Sequence, residues 1–348
     1  MLWAIVGLAA SGKSTFFKLM THKGSSGKTG KGLDVAVAHV PDPRIDPLVE
    51  VFQPKKITLT EIEFADTIGA VGAGGSVFPE LQCADALVLC VRAFDGGFGA
   101  PNPIADLQNL LGEFSLFELN VLERKLESIE KGFRTAKPEI KNRLEVESKM
   151  ICELREHVES GAMICDLELD CARAELVSNF GMLTAKPMLI LLSCDEDYFA
   201  RREEFEAEIA DIFPSLPVIA IMTQTELELG ELDHESAEMF REEYGLTEPV
   251  IDRFVMKAFQ TAGIITYFTG GDREVRSWSI EKGSTALDAA GKIHTDLARG
   301  FIRAEVVSFE QLIADGGWAE ARSAGHLRLE GKDYIVQDGD VMLIKFAV

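Results

Sequence analysis

Short apolar runs alternate with amphipathic segments along most of this chain. The runs lie at Leu2–Val6, Ala86–Val91, Pro187–Ser193 and Val218–Met222. Such runs predict strands that are buried on both faces of a parallel sheet. Together with the helical patterns between them, they predict an α/β fold whose ligands bind beyond the carboxyl ends of the strands.

The apolar period changes to a helical one after Phe117. Apolar residues then recur at spacings of three and four, and the pattern resumes beyond Pro138, with the positions Leu119, Leu122, Leu126, Ile129, Phe133, Leu144, Ile151, Leu154 and Val158. These stretches predict two helices that pair as an antiparallel coiled coil, and the alternative is two ordinary helices packed on the sheet. A third helix is predicted over Asp166–Asn179.

The last part of the chain mixes both patterns. Strands are predicted at Ile265–Thr269, Glu274–Ile280 and Asp333–Phe346, with a helix over Ala286–Arg299 and a turn at Asp338–Gly339. About 85 residues of this kind suffice for a small α+β domain of its own.

A phosphate-loop motif follows the first strand directly. Residues 7–14 read GLAASGKS, which fits GxxxxGK[ST], and a helical pattern continues from Thr15 to Met20. In this context the main-chain amides are predicted to bind phosphate oxygens, through Leu8, Ala9, Ala10, Ser11, Gly12, Lys13, Ser14 and Thr15. Lys13 would neutralise the β- and γ-phosphates and the transition-state charge, and the Ser14 hydroxyl would ligate Mg²⁺. The alternative is a glycine-rich turn with a surface lysine.

The segment from the first helix to the next motif contains a loop, a turn, a helix and a strand. Residues 21–34 are rich in Gly and Lys, which predicts either a switch that folds over a γ-phosphate or a disordered, solvated loop. Within it, Gly24–Thr29 resembles a second phosphate loop but lacks a preceding strand. Residues 40–44 predict a turn, residues 45–52 a helix, and residues 57–65 one strand.

Two further loops carry candidate site residues. Asp66-Thr67-Ile68-Gly69 is a DxxG motif at the end of a predicted strand, where Asp66 would reach the Mg²⁺ shell and the Gly69 amide the γ-phosphate. The glycine-rich residues 70–76 then predict a mobile loop. Ser193-Cys194-Asp195-Glu196 follows another strand, at the place where nucleotide-binding proteins of this class read the base.

Composition narrows the classes of protein further. With 348 residues the chain has room for two or three domains, and its formal charge of −22 disfavours broad nucleic-acid binding, including DNA. It has no apolar run of about 20 residues and no basic leader, which predicts a cytoplasmic protein without a membrane segment. The six cysteines form no CxxC pair and are predicted to be buried, reduced thiols, and the scattered histidines give no support to zinc chemistry.

Several of these stretches resemble one family. The C-terminal stretches ITYFTGGDREVRSWSIEKGSTALDAAGKIHTDLARGFIRAEVVSFEQLIADGG and RLEGKDYIVQDGDVMLIKF closely resemble the TGS domain of YchF proteins, the Obg-like ATPases. VPDPRIDPLVEVFQPKK resembles their segment between the phosphate loop and DxxG. The resemblance spans nearly the whole chain. It implies a P-loop nucleotide-binding domain at 1–115 and 187–263, a helical coiled-coil insertion at 116–186, and a β-grasp TGS domain at 264–348.

The resemblance also implies an activity. Family members are cytoplasmic, Mg²⁺-dependent nucleotidases associated with ribosomes, which suggests that ribosomal RNA contacts the TGS domain and the helical arm. Their NxxE motif favours ATP over GTP, because its carboxylate does not suit guanine as the aspartate of NKxD does. Here Ser193 replaces the asparagine and Glu196 keeps the acid, and Cys194 and Thr223 are predicted to complete the base site.

Two departures from the family pattern weaken the predicted chemistry. The family's TIEPN segment reads TGKGLDVA here, so only Thr29 lies near the expected threonine and is the candidate Mg²⁺ ligand of this segment. The family's DxAGLxKGA has a leucine in place of the usual catalytic glutamine, and Ala70, in the altered segment here, cannot orient a water either. We therefore expect a nucleotidase that hydrolyses slowly, with a noncatalytic nucleotide-binding scaffold as the alternative and a small-molecule kinase as a third hypothesis.

Overall fold

The chain forms two compact units. The computed structural model describes residues 1–22, 25–28, 34–67, 71, 77–97, 99–232, 239, 241 and 250–347. The first unit comprises Met1–Ala38 and Glu63–Val250, and the second comprises His39–Ile62 and Ile251–Val348. No helix in the described ranges is both long enough and apolar enough to cross a lipid bilayer.

The first unit is built on a largely parallel sheet. In the described part of the chain its seven strands have the order β2-β3-β5-β1-β6-β7-β8, with the bounds β1 Leu2–Val6, β2 Ser25–Lys28, β3 Asp34–His39, β5 Glu61–Asp66, β6 Ala86–Ala93, β7 Met188–Cys194 and β8 Val218–Ile221. Strand β1 lies between β5 and β6, and both pairings are parallel. The predicted buried strands are therefore confirmed, and their carboxyl ends meet at one edge of the sheet.

Helices cover this sheet and extend the unit. They are α1 Lys13–His22, α3 Phe78–Gln82, α4 Pro103–Phe133, α5 Pro138–Glu159, α6 Cys171–Phe180, α7 Glu196–Ala200, α8 Arg202–Ile212 and α9 Thr223–Leu229. The prediction of a continuous loop over residues 21–34 is wrong for residues 25–28, which form β2 and pair antiparallel with β3. Helix α6 begins later than predicted, because the Asp170 side chain accepts a hydrogen bond from Arg173 N and caps it.

Helix α4 serves two different cores. Its first half packs into the sheet core through Leu107, Leu110 and Phe114. Its second half and α5 share a separate core, in which Leu122 packs with Ile151. The helix begins at Pro103 and runs from the sheet into a helical hairpin. Packing on the sheet therefore describes its first half, and antiparallel pairing with α5 describes its second half. The boundary predicted at residue 116 falls inside this continuous helix.

The second unit contains a six-stranded sheet covered on both faces. Its order within the described residues is β12-β11-β13-β9-β10-β4, with β4 Ile57–Thr58, β9 Ile264–Gly270, β10 Val275–Glu281, β11 Phe301–Ser308, β12 Arg328–Glu330 and β13 Asp340–Phe346. Its helices are α2 Ile45–Phe52, α10 Val250–Thr261, α11 Ala286–Ile293, α12 Thr295–Arg299, α13 Phe309–Asp315 and α14 Trp318–Ala324. Adjacent residues Tyr267 and Phe268 point into opposite cores, as a strand requires.

Residues 39–62 belong to the second unit, although the sequence-based division places them in the nucleotide-binding domain. The predicted single strand over residues 57–65 is wrong, because β4 pairs with β10 while β5 pairs with β1. Arg44 fixes this segment through Asp42 at 2.8 Å and Asp338 at 2.7 Å. The predicted turn at residues 40–44, the helix over residues 45–52 and the Asp338–Gly339 turn are confirmed.

Two other predictions for the C-terminal part are wrong because local side-chain hydrogen bonds change where an element begins or ends. The helix predicted over Ala286–Arg299 breaks at His294, whose Nδ1 accepts a hydrogen bond from Asp296 N and starts α12. The strand predicted from Asp333 begins only at Asp340, after turns that the Gln337 N to Asp340 Oδ2 hydrogen bond of 2.9 Å holds. In both cases a side chain satisfies main-chain groups that the predicted element would have used.

Candidate nucleotide site

The phosphate-loop motif forms a tight turn at the carboxyl end of β1. A Cβ at Gly7 would lie 2.3 Å from the Cys90 carbonyl oxygen, so only glycine fits there. Gly12 has φ +93°, in the left-handed region that glycine adopts without strain, and Phe16 N donates to Gly12 O at 2.9 Å as α1 begins. Ala10 also has a positive φ, of 57°. The main chain therefore has the curvature that turns successive amides toward an anion.

Lys13 projects back into this loop. Its Nζ donates to Gly7 O at 3.1 Å and to Leu8 O at 3.3 Å, and only 9% of the residue is exposed. Burial lowers the pKa of Lys13, while Cys90 and Asp66 act in the opposite direction. Phosphate oxygens bind an ammonium more strongly than carbonyl oxygens do, so a phosphate entering the loop would compete for this group.

Asp66 stands beside the loop at the end of β5. The register of β1 and β5 pairs it with Ile5, and Thr67 Oγ1 donates to Ile5 O at 2.7 Å. Its Oδ1 is buried and accepts no hydrogen bond within the described part of the chain. Burial raises the pKa of Asp66, opposed by Lys13 and reinforced by Asp34.

The donors in this corner suit a magnesium ion. Asp66 supplies a buried carboxylate oxygen without a partner among the described residues, and Ser14, in the first turn of α1, supplies an exposed hydroxyl. Mg²⁺ prefers oxygen ligands and is bound through few protein groups. The residues present therefore fit Mg²⁺. Thr29, Gly69 and Ala70 lie outside the described residues, and their roles stay predictions.

A cleft of about 480 Å³ continues from the loop along the carboxyl ends of three parallel strands. Gly12 and Thr15 form one end. The rest of the lining follows strands β6, β7 and β8 and consists of Phe94, Asp95, Ser193, Cys194, Asp195, Glu196, Asp197, Thr223, Gln224 and Thr225. The structure thus brings the phosphate loop, the predicted base-reading residues and Thr223 to one cleft.

Ser193 and Thr223 contact each other in the wall of this cleft. Their hydroxyl oxygens are 2.5 Å apart, and the two residues are 1% and 2% exposed. A Cβ placed on Gly12 would lie 2.6 Å from Ser193 Oγ, so the serine also abuts the phosphate loop. The Ser193 hydroxyl is therefore engaged within the wall, beneath the surface that a base would contact.

The residues after Ser193 shape an acidic end of the cleft. Asp195 accepts hydrogen bonds from Tyr198 N at 3.0 Å, which caps α7, and from Asp95 N at 3.1 Å. Glu196 is exposed at the start of α7. Burial raises the pKa of Cys194 to about 12, so this thiol is neutral at physiological pH. These contacts fix the loop that presents the Cys194 main chain and the Glu196 carboxylate.

The sequence reasoning missed Phe94 and Asp95 in the cleft lining. They come directly after β6, whose register with β7 pairs Ala93 with Cys194 and so places Phe94 across from the predicted base loop. Their position at the end of a buried strand marks both as candidates, but the sequence does not show that β6 lies next to β7. The prediction of buried thiols holds for Cys90 and Cys194 and is wrong for Cys83, Cys165 and Cys171, which are exposed.

A strand, phosphate loop and helix at the carboxyl edge of a parallel sheet, with Asp66 of DxxG at the end of the neighbouring strand, define a P-loop NTPase. Similarity to known proteins narrows this class. The family YchF-GTPase_C, described as a protein of unknown function (DUF933), matches residues 264–347. "Ribosome-binding ATPase YchF" of Bacillus subtilis (strain 168) is 35% identical over 99% of this chain and 98% of its own.

Two further proteins of this kind are similar to the chain over almost its whole length. "Obg-like ATPase 1" of Oryza sativa subsp. japonica is 29% identical over 99% of this chain and 91% of its own. The solved structure of the Schizosaccharomyces pombe YchF GTPase is 26% identical, with a TM-score of 0.87 over 99% of this chain and 97% of that one. The chain belongs to the YchF family.

Proposed function

We propose that this protein binds ATP with Mg²⁺, hydrolyses it slowly, and changes its association with ribosomes according to the bound nucleotide. The observation that carries the proposal is the corner formed by Lys13 and Asp66, where a buried ammonium and a carboxylate oxygen without a partner in the described chain flank a phosphate loop. Relatives named as ribosome-binding ATPases support the ribosomal part. We infer a cytoplasmic location from the same association.

Each residue has a defined task in this proposal. The amides of residues 8–15 and the Lys13 ammonium bind the phosphates. Ser14 would hold Mg²⁺ directly and Asp66 through its bound water, and the ion would neutralise phosphate charge. The Gly69 amide contacts the γ-phosphate, and Thr29 is a further Mg²⁺ ligand. No side chain of the motif orients a water, since Ala70 carries only a methyl group. Hydrolysis therefore rests on positioning and on Lys13 electrostatics, and we expect it to be slow.

The base end of the cleft favours adenine over guanine. Its described lining includes the carboxylates of Asp95, Asp195, Glu196 and Asp197 and no Lys or Arg. Adenine offers its exocyclic amino group as a donor, whereas guanine has the acceptor O6 in the same position. A carboxylate beside that position attracts the amino group and repels O6, whereas a carboxylate that reaches N1–H and N2 of guanine, as the aspartate of NKxD does, favours GTP. We assign the first role to Glu196, which keeps the acid of NxxE. The Cys194 main chain and Glu196 read the base, and Ser193 and Thr223 hold the wall beneath it.

A noncatalytic scaffold is the second candidate, and one sequence feature favours it. The segments expected to sense the γ-phosphate depart from the family pattern around Thr29, where TGKGLDVA replaces TIEPN, and at Ala70. A chain with an intact phosphate loop and altered sensing segments would bind nucleotide without turning it over.

Calorimetric titration with ATP and then GTP, each with Mg²⁺, tests the ligand. We expect tighter binding of ATP, and tighter binding of GTP would overturn the adenine assignment. Single-turnover hydrolysis with and without ribosomes separates the enzyme from the scaffold. Hydrolysis that persists in Lys13→Ala would reject this site, and the absence of hydrolysis under every condition would favour the scaffold.

A further inference from the structure

The helical hairpin has a basic end in an otherwise acidic protein. Residues 131–143, the arm tip, contain five Lys or Arg and one Glu, in the sequence KGFRTAKPEIKNR. Residues 116–130 and 144–159, the arm stem, contain four Lys or Arg and nine Glu. The charge therefore changes sign along one arm of a chain whose net charge is −22.

The cations of the arm tip are available for contact. Lys131, Arg134, Lys137 and Arg143 are exposed. Lys131 and Arg134 each lie 3.5 Å from a glutamate one turn earlier on α4, with both partners of each pair largely in solvent. Such exposed pairs contribute little and exchange partners easily. In the described part of the chain, Lys137 and Arg143 form no ion pair with a carboxylate.

Helix stability does not explain these charges. Cations at the end of α4 suit its dipole, but Lys137 is the N-cap of α5 and Lys141 lies near that same end, where anions are favoured. Lys141 instead lies over the Phe133 ring, 5.0 Å from its centre. The cations on the α5 side of the arm tip thus oppose the helix dipole, which Glu139 in the same turn complements, so helix stability gives no reason for their charge.

The framework that presents them is well formed. Helices α4 and α5 are joined by only four residues, and a Cβ on Gly132 would lie 3.9 Å from Leu144 Cδ1, so the helices stay close at the arm tip. Ile140 N and Lys141 N both donate to Lys137 O at 3.0 Å. Four of the five cations are exposed, and they are spread over residues 131–143 at the end of the hairpin. Such an end suits a surface with many repeated negative charges better than one small anion.

We propose that the arm tip binds the phosphate backbone of RNA, end-on, while the acidic arm stem keeps the rest of the arm away from it. This inference rests on the ribosome association proposed above and names its contact. Each Lys or Arg that neutralises a phosphate releases counterions, so the contact should weaken steeply with salt.

The test compares two double variants of the full chain with the same change in net charge. Lys137→Gln/Arg143→Gln removes two arm-tip cations, and Arg124→Gln/Lys149→Gln removes two exposed arm-stem cations. Sedimentation with purified bacterial ribosomes at several salt concentrations gives the affinity and its salt slope. We expect the tip variant to bind about tenfold more weakly and its slope to fall by roughly 1.5, with the stem variant close to wild type. Nucleotide hydrolysis and the melting temperature should be unchanged in both.

Equal weakening by the two variants, or no change in either, would overturn the inference while leaving ribosome association intact. A second arm of the experiment uses purified ribosomal RNA in place of ribosomes. If wild type binds RNA through the arm tip but does not bind ribosomes, the proposed function fails and the inference stands. If wild type binds neither, both fail. A photocrosslinker at position 137 that labels ribosomal protein and not RNA would show that the partner is an acidic protein surface.

Discussion

The phosphate end and the base end of the cleft differ in what they are made of. The phosphate end consists of main-chain amides, a glycine-dependent turn and one buried ammonium. The base end consists of side chains on three separate loops, where Ser193 and Thr223 form a buried pair and four carboxylates line the opening. The glycines and the lysine of the phosphate end have no substitute of the same geometry and charge, whereas a wall of side chains can be rebuilt from other residues. The two ends should therefore respond differently to mutation.

Lys13→Ala tests the phosphate end and should have the largest effect. We expect roughly 100-fold weaker binding of both ATP and GTP, because hydrogen bonds to charged groups contribute about 1.5–3 kcal/mol each. Calorimetry measures both affinities, and Lys149→Ala, an exposed lysine on α5, serves as the control. Unequal losses for the two nucleotides would place Lys13 at the base end instead.

Gly12→Ala tests whether the loop requires its glycine geometry. Gly12 and Gly161 both have positive φ, +93° and +82°, but only Gly12 of these two abuts another residue, since its Cβ would lie 2.6 Å from Ser193 Oγ. Gly161→Ala should cost about 1 kcal/mol of stability and leave nucleotide affinity unchanged. Gly12→Ala should lower both stability and affinity, with affinity falling roughly 30-fold, or about 2 kcal/mol.

Thermal melts and binding of a fluorescent nucleotide analogue give the two readouts. Ser193→Gly in the Gly12→Ala background should recover part of the affinity, because it removes the clash. Equal behaviour of the two alanine variants would mean that the contact between Gly12 and Ser193 is unimportant.

Asp66→Asn separates binding from stability. Folding raises the pKa of Asp66 through burial, so the folded state holds this proton more tightly than the unfolded chain does. The contribution of the Asp66 side chain to the free energy of unfolding therefore falls as pH rises from the ordinary Asp pKa through the raised pKa. At pH 7 the charged carboxylate destabilises the nucleotide-free protein. We expect the variant to melt higher at pH 7, with the gain shrinking toward zero below the ordinary pKa.

The same variant should bind ATP about tenfold more weakly than wild type when Mg²⁺ is present. With a chelator in place of Mg²⁺, the two proteins should bind ATP almost equally. Melting curves from pH 4 to pH 7 and paired titrations with Mg²⁺ and with chelator measure both effects. A lower melting temperature at pH 7 would show that the carboxylate is stabilised by a partner in the folded protein.

The phosphate end was also easier to predict from the sequence than the base end. Strand β1, the phosphate loop and α1 are predictable because glycine and lysine at fixed spacing satisfy a main-chain geometry, and the structure has them in place. In the wall, the position after β7 and the family resemblance predict Ser193, Cys194, Glu196 and Thr223, but no local pattern predicts the rest of the lining. Phe94 enters the cleft only because β6 and β7 are neighbours, which no spacing along the chain reveals. The prediction for residues 57–65 failed for a related reason, since pairing with distant strands decides where each half belongs.

Ser193→Ala should have the smallest effect and bears most directly on the base end. If the serine holds the wall, its loss should weaken ATP and GTP equally, about threefold, since one neutral hydrogen bond contributes about 0.5–1.5 kcal/mol. Thr223→Val should do the same. The double variant should cost less than the sum, because each single change leaves the other buried hydroxyl without its partner. Glu196→Gln is the matched comparison, and it should shift the ratio of ATP to GTP affinity. If Ser193→Ala shifts that ratio as much as Glu196→Gln does, the serine reads the base and the base end is as directly specified as the phosphate end.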